Sequence, residues 1–169
     1  MIFNPWVKYK TKKSQKENRA LRKSVGYKEA NNFGIIFNND EQSKIEAADK
    51  LISLLKMDGK NIKTIAFERK NSIKHLPYDT FTINNFSFWG NLIGKPINDF
   101  TNAKYDFLIC LDEQPNLLIR NILANSKAKC RIGRYDEINQ PTFEMLLQNS
   151  NAKDQDWVDS MYQYLRVIY

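Results

Sequence analysis

Nine basic residues crowd the first 28 positions of the chain: Lys8, Lys10, Lys12, Lys13, Lys16, Arg19, Arg22, Lys23 and Lys28. At this density, opposed only by Glu17, such residues do one kind of chemistry well: they neutralise phosphates on a polyanion. The chain carries a net charge of +7, and its location says more than its size. Residues 1–28 hold nine bases and one acid, a net +8, while the other 141 residues hold 17 bases and 18 acids, a net −1. Charge that serves only solubility is spread over a surface; charge gathered at one end marks an arm with an anionic partner. Between Tyr9 and Val25 the only apolar residues are Ala20 and Leu21, so the arm cannot present the continuous apolar face of a membrane-surface helix. RNA is the expected partner and a membrane is not.

Phe3, Trp6 and Tyr9 precede the lysines at a spacing of three. Two roles fit them: stacking on unpaired bases, or pinning the arm to the protein's own body or to a neighbouring protein. The arm's composition suits a helix, but like charges on all sides leave it frayed until phosphates neutralise it. The two arginines, Arg19 and Arg22, are best suited to bidentate phosphate contacts.

Residues that could perform catalysis are few. His75 is the sole histidine, so no histidine metal cluster is possible, and its polar surroundings in sequence read as surface. Cys110 and Cys130 each sit inside an apolar run, where a buried free thiol is expected rather than a disulfide or metal ligand. No G-x-G-x-x-G, G-x-x-x-x-G-K-[ST] or G-x-S-x-G occurs, and six glycines in all leave little room for phosphate-cradling loops. Asp112 and Glu113 could form a carboxylate pair at a strand end, but adjacent side chains point apart, and both types commonly cap a helix. The expectation is a protein that is not an enzyme, with no cofactor, metal or small-molecule substrate.

The elements that must position the arm begin at residue 33. Phe33–Asn38 is a short apolar run of the kind buried on both faces of a parallel sheet. A helix follows, capped by Asn39 or Asp40 and running to Met57, with Ile45, Ala48, Leu51, Ile52 and Leu55 on one face and Gly59 as its stop. Ile62–Phe67 completes a βαβ unit, which makes the two strands parallel. Tyr78–Asn84 reads as a short strand, and the aromatic stretch Asn85–Gly94 as a loop or helical turn on the sheet edge. Tyr105–Leu111 is the strongest strand, followed by a helix opening at Pro115 and ending at Asn125. Lys129–Gly133 and Thr142–Leu147 read as strands, and Gln155–Val167 as a closing helix with Trp157, Met161, Tyr164 and Leu165 inward. Such alternation predicts an α/β fold: a single three-layer, Rossmann-like domain with a mostly parallel sheet, preceded by a basic N-terminal arm. The division is 1–32 for arm and linker, with Gly26–Asn32 as the linker, and 33–169 for the domain. No apolar run reaches the roughly 20 residues of a bilayer span, and the first residues lack a secretory signal's apolar stretch, so a cytoplasmic location is expected.

Two resemblances add to this. Tyr105–Arg134 resembles the strand–helix–strand of the N-terminal domain of heptosyltransferase-like glycosyltransferases, in its Tyr-Asp-hydrophobic run and its Arg131-Ile132-Gly133 strand end. The chain departs from them in lacking the second, nucleotide-sugar domain and a glycine-containing acceptor loop, so that likeness implies a shared fold. The whole chain also resembles a small Bacteroidota family, found notably in flavobacteria and close to a lineage-specific extra protein of the large ribosomal subunit. That likeness rests on Trp6–Lys28, Gly34-Ile35-Ile36, Asp106–Leu111, Arg131-Ile132-Gly133 and Trp157–Tyr169. It implies ribosomal RNA as the polyanion, neighbouring ribosomal proteins as further partners, and a structural role. The alternatives are a reduced glycosyltransferase-like or nucleotide-sugar-binding protein at Asn38–Asp40 and Asp112–Gln114, an RNA- or DNA-binding protein outside the ribosome, and a clamp on anionic membranes.

Overall fold

The computed structural model describes residues 5–69, 76–136, 141–148 and 153–167. Six strands form one sheet in which every pairing is parallel: β1 (Asn32–Asn38), β2 (Asn61–Phe67), β3 (Asp79–Phe81), β4 (Phe107–Cys110), β5 (Cys130–Arg134) and β6 (Met145–Leu147). Their order across the sheet is β3-β2-β1-β4-β5-β6. The order reverses direction between β1 and β4, the place where dinucleotide-binding folds open a ligand crevice. β1 and β4 are central and their side chains are buried on both faces, which is why their sequences read as unbroken apolar runs. β3 and β6, three residues each, form the two borders.

Helices α2 (Gln42–Met57) and α5 (Asp154–Val167) cover one face, with Phe33, Ile35, Leu51, Leu55, Trp157 and Leu165 in a single apolar cluster. Helices α3 (Lys95–Asn102) and α4 (Leu117–Asn125) cover the other, around Ile36, Leu108, Phe100, Ile119 and Ile122. The three-layer α/β architecture is therefore as expected. Gly59 closes α2 in the left-handed region at φ 70°, where a side chain is strained.

Several local expectations are corrected. The cap of α2 falls at Glu41 and makes no side-chain bond; Asp40 accepts a hydrogen bond from Lys44 instead. Helix α4 starts after Asn116, whose Oδ1 accepts from the backbone of Leu118 and Ile119, so Pro115 precedes the cap and is not in the first turn. In α5 it is Tyr162 that turns inward, and Tyr164 is about half exposed. Helix α3 fills the interval between the aromatic loop and β4, where the sequence pattern predicts no element. His75 and Phe3 lie outside the described residues. Both cysteines are free and buried, and burial pushes the Cys130 thiol up to about 12.

Candidate nucleic-acid interface

The basic segment forms a helix, α1 (Pro5–Glu17), that is already seated on the body. A stripe at 4-3-4 spacing, Val7, Thr11, Ser14 and Asn18, faces α4, and it is held by hydrogen bonds more than by apolar area. Thr11 Oγ1 donates to the Val7 carbonyl at 2.7 Å and accepts from Asn121 Nδ2 at 3.0 Å. Ser14 Oγ donates to Asn125 Oδ1 at 2.9 Å. Asn18 Nδ2 donates to the Ala124 carbonyl at 3.0 Å, and Lys127 Nζ donates to Asn18 Oδ1 at 3.1 Å. Gly90 explains why the helix can approach the aromatic loop: at φ 74°, its position leaves a would-be Cβ 3.1 Å from Val7 Cα. Trp6 sits edge-to-face on Trp89 with ring centroids 5.0 Å apart, so it pins the helix while staying 44% exposed. Tyr9 points away and is 61% exposed.

With one face docked, the rest of the helix surface presents the lysines. Lys8, Lys12 and Lys16 recur every four residues along an exposed ridge, and none forms an ion pair among the described residues. Lys13 is the exception on that side, 3.7 Å from Glu17, and Lys10 donates to Asn91 on the flank. Arg19, Lys23 and Lys28 are exposed beyond the helix. Arg22 is a correction. Its Nη1 donates to the carbonyls of Ser126 (3.1 Å) and Ala128, and its Nε lies 3.8 Å from Glu144. Burial, aided by the nearby Arg131 guanidinium, lowers Arg22 to about 10. It fastens the chain to the body and offers nothing to a phosphate. The stretch read as a linker is packed as well: Tyr27 and Ala30 are buried, and the Tyr27 hydroxyl donates to Asp58 at 2.5 Å.

At the sheet's reversal point the chemistry is turned inward. Asp112, 1% exposed, accepts from the Asn38 backbone (3.0 Å), Asn38 Nδ2 (3.1 Å) and Lys44 Nζ (3.0 Å). Asn116 Nδ2 donates to Asn38 Oδ1 at 2.9 Å, so the ends of β1 and β4 and the start of α4 are tied together. Burial works against the Lys44 charge, but Asp112 and Asp40 outweigh it and hold the ammonium above the ordinary lysine range. Asp112 is thus the anchor of an internal network, and the capping role expected of it belongs to Asn116. The arginines near the other strand end are likewise internal. Arg131 grips Glu144 bidentately at 2.9 and 2.6 Å, and Arg134 pairs with Asp154 at 2.5 Å. No group of three or more potential metal ligands occurs among the described residues, and no described helix is long and apolar enough to cross a membrane.

A parallel sheet ordered 3-2-1-4-5-6, layered by helices on both faces, defines a Rossmann-like α/β protein, here with a basic helix docked on its surface. Within that class the chain belongs to a family of unknown function (DUF6913), whose model matches residues 4–168 and so takes in the basic helix together with the α/β layers. No curated protein and no solved structure matches the chain.

Proposed function

We propose that the protein is a non-catalytic RNA-binding protein whose docked basic helix lies along the phosphates of a structured RNA. The observation that carries this is the exposed ridge of Lys8, Lys12 and Lys16, which the fold positions and leaves without an ion-pairing partner among the described residues. On the body, Lys44, Arg131, Arg134 and Lys129 all meet carboxylates. A rigid row of cations 5–6 Å apart along a helix suits a phosphate backbone, and docking in advance removes part of the ordering cost of a disordered arm. The resemblance to a ribosomal protein supports ribosomal RNA of the large subunit as the target, with neighbouring ribosomal proteins touching the body and the cytoplasm as the site of action.

Titration of the full chain against RNA over a range of salt tests the mechanism. If five phosphates are neutralised, log K falls against log[salt] with a slope of about −4. A slope near zero rejects it. Sucrose-gradient fractionation tests the assignment to the ribosome: co-migration with the large subunit through moderate salt supports it, and free migration removes it.

A further inference from the structure

Beside α1, on the flank of Lys8 and Lys12, runs a mostly apolar groove of about 650 Å³. It lies at the carboxyl side of the sheet, lined by Phe67 from the end of β2 and Leu117 from the start of α4. The aromatic loop closes the near wall, and there Phe88 is 70% exposed and Ile83 is 56% exposed. Apolar groups left in water this way are unusual in a monomer unless something covers them. Charge identifies what that is. Among the described residues, Lys8, Lys12 and Arg120 line the groove, Arg120 with its Nε donating to the Pro115 carbonyl at 2.8 Å, and no acidic residue does. Gln15 and Gln114 add side-chain amides able both to donate and to accept.

We infer that this groove receives one unstacked nucleotide of a single-stranded RNA segment, the base against Phe88 and the flanking phosphates on Lys8 and Lys12. The volume lies within the roughly 300–1,000 Å³ of small-ligand sites. Flat aromatic and aliphatic walls accept the face of any base, and cations at the rim track the backbone on either side. A duplex keeps its bases stacked and cannot fill the groove, so the target is a loop, bulge or end. Phe88 packs edge-on to Trp89 at 5.4 Å, and Trp89 meets Trp6 of α1, so the stacking surface and the phosphate ridge are held as one unit. This inference rests on the proposal that α1 binds RNA and narrows it to a kind of RNA.

The test is fluorescence anisotropy of the full chain with a labelled 12-nucleotide oligouridylate and with an RNA duplex of equal length. The wild type is expected to prefer the single strand. Phe88→Ala lowers single-strand affinity by about tenfold, within the range for loss of one base stack, and leaves duplex affinity and the salt slope unchanged. Ile83→Ala, which removes apolar wall without changing the charge beside Lys8 and Lys12, has the same selective effect and guards against a folding artefact in the first variant. Tryptophan emission from Trp6 and Trp89 is quenched saturably by the single strand. Equal affinity of the wild type for strand and duplex, or losses that the two RNAs share in both variants, overturns the groove as a base site while leaving the lysine ridge standing. Failure to bind either RNA at low salt overturns both.

Discussion

Lys12 and Lys44 are the same residue type at two places about as different as this fold allows. Lys44 stands at the sheet's reversal point, where a Rossmann-like protein would take a ligand, and it is held by Asp112 and Asp40 at 3.0 and 2.9 Å. Lys12 stands on the exposed side of α1, outside the sheet altogether, and has no ion-pairing partner among the described residues. The position where such folds take a ligand is filled by the protein's own groups, while α1 keeps its charge exposed. The contrast teaches that function here is to be sought in what was laid onto the fold and less in the fold's habitual crevice.

The contrast can be broken from either side. Lys44→Met leaves Asp112 buried without its cation and is expected to cost about 3–5 kcal/mol of stability, read by urea denaturation, while RNA affinity of the folded fraction is unchanged. Lys8→Gln, Lys12→Gln and Lys16→Gln together should do the reverse: RNA affinity falls about 100-fold and the salt slope becomes shallower by about 2–3, with the melting temperature unchanged. Gly90→Ala strains a positive-φ position and crowds Val7, so about 1–3 kcal/mol should be lost, and amide exchange in α1 should quicken more than in α2. The smallest effect concerns Asp58, whose carboxyl is held below its ordinary range first by the Tyr27 hydroxyl, with Tyr162, Arg166 and Lys60 adding to it against burial. Because its folded value is depressed, its contribution is full above the ordinary carboxylate range and is lost as pH falls through the folded value. Tyr27→Phe should therefore raise the Asp58 pKa by NMR titration, and its stability deficit should close as the solution is acidified.

Much of the sheet was legible because β1 and β4 are short apolar runs with no competing period, and because Gly59 marks a helix end without ambiguity. Helix α3 was not, since only Ile97, Phe100 and Thr101 face inward from an otherwise polar segment; Pro96 in its first turn was the available signal. Tyr164 was misjudged because 157, 161 and 164 share a face as readily as 158, 162 and 165, and the packing of Tyr27 and Asp58 decides between Tyr162 and Tyr164. The arm's cationic character was plain, but its docking was hidden. Its contact stripe is built from Thr11, Ser14 and Asn18, residues that a search for apolar periodicity passes over, and their partners on α4 are asparagines. The 4-3-4 spacing was the one trace of it. Arg22 shows the same limit from the other direction: its type and place in the charge run matched its neighbours, and only the fold reveals carbonyls waiting for it.

The borders of the sheet carry a last consequence. β3 and β6 are three residues each, and the Trp157 indole donates to the carbonyl of Leu147, the last residue of β6, at 3.4 Å. An extended peptide arriving at either margin would find too few free amides in a row to zip onto. Such stunted rims guard the chain against templating fibrils of itself.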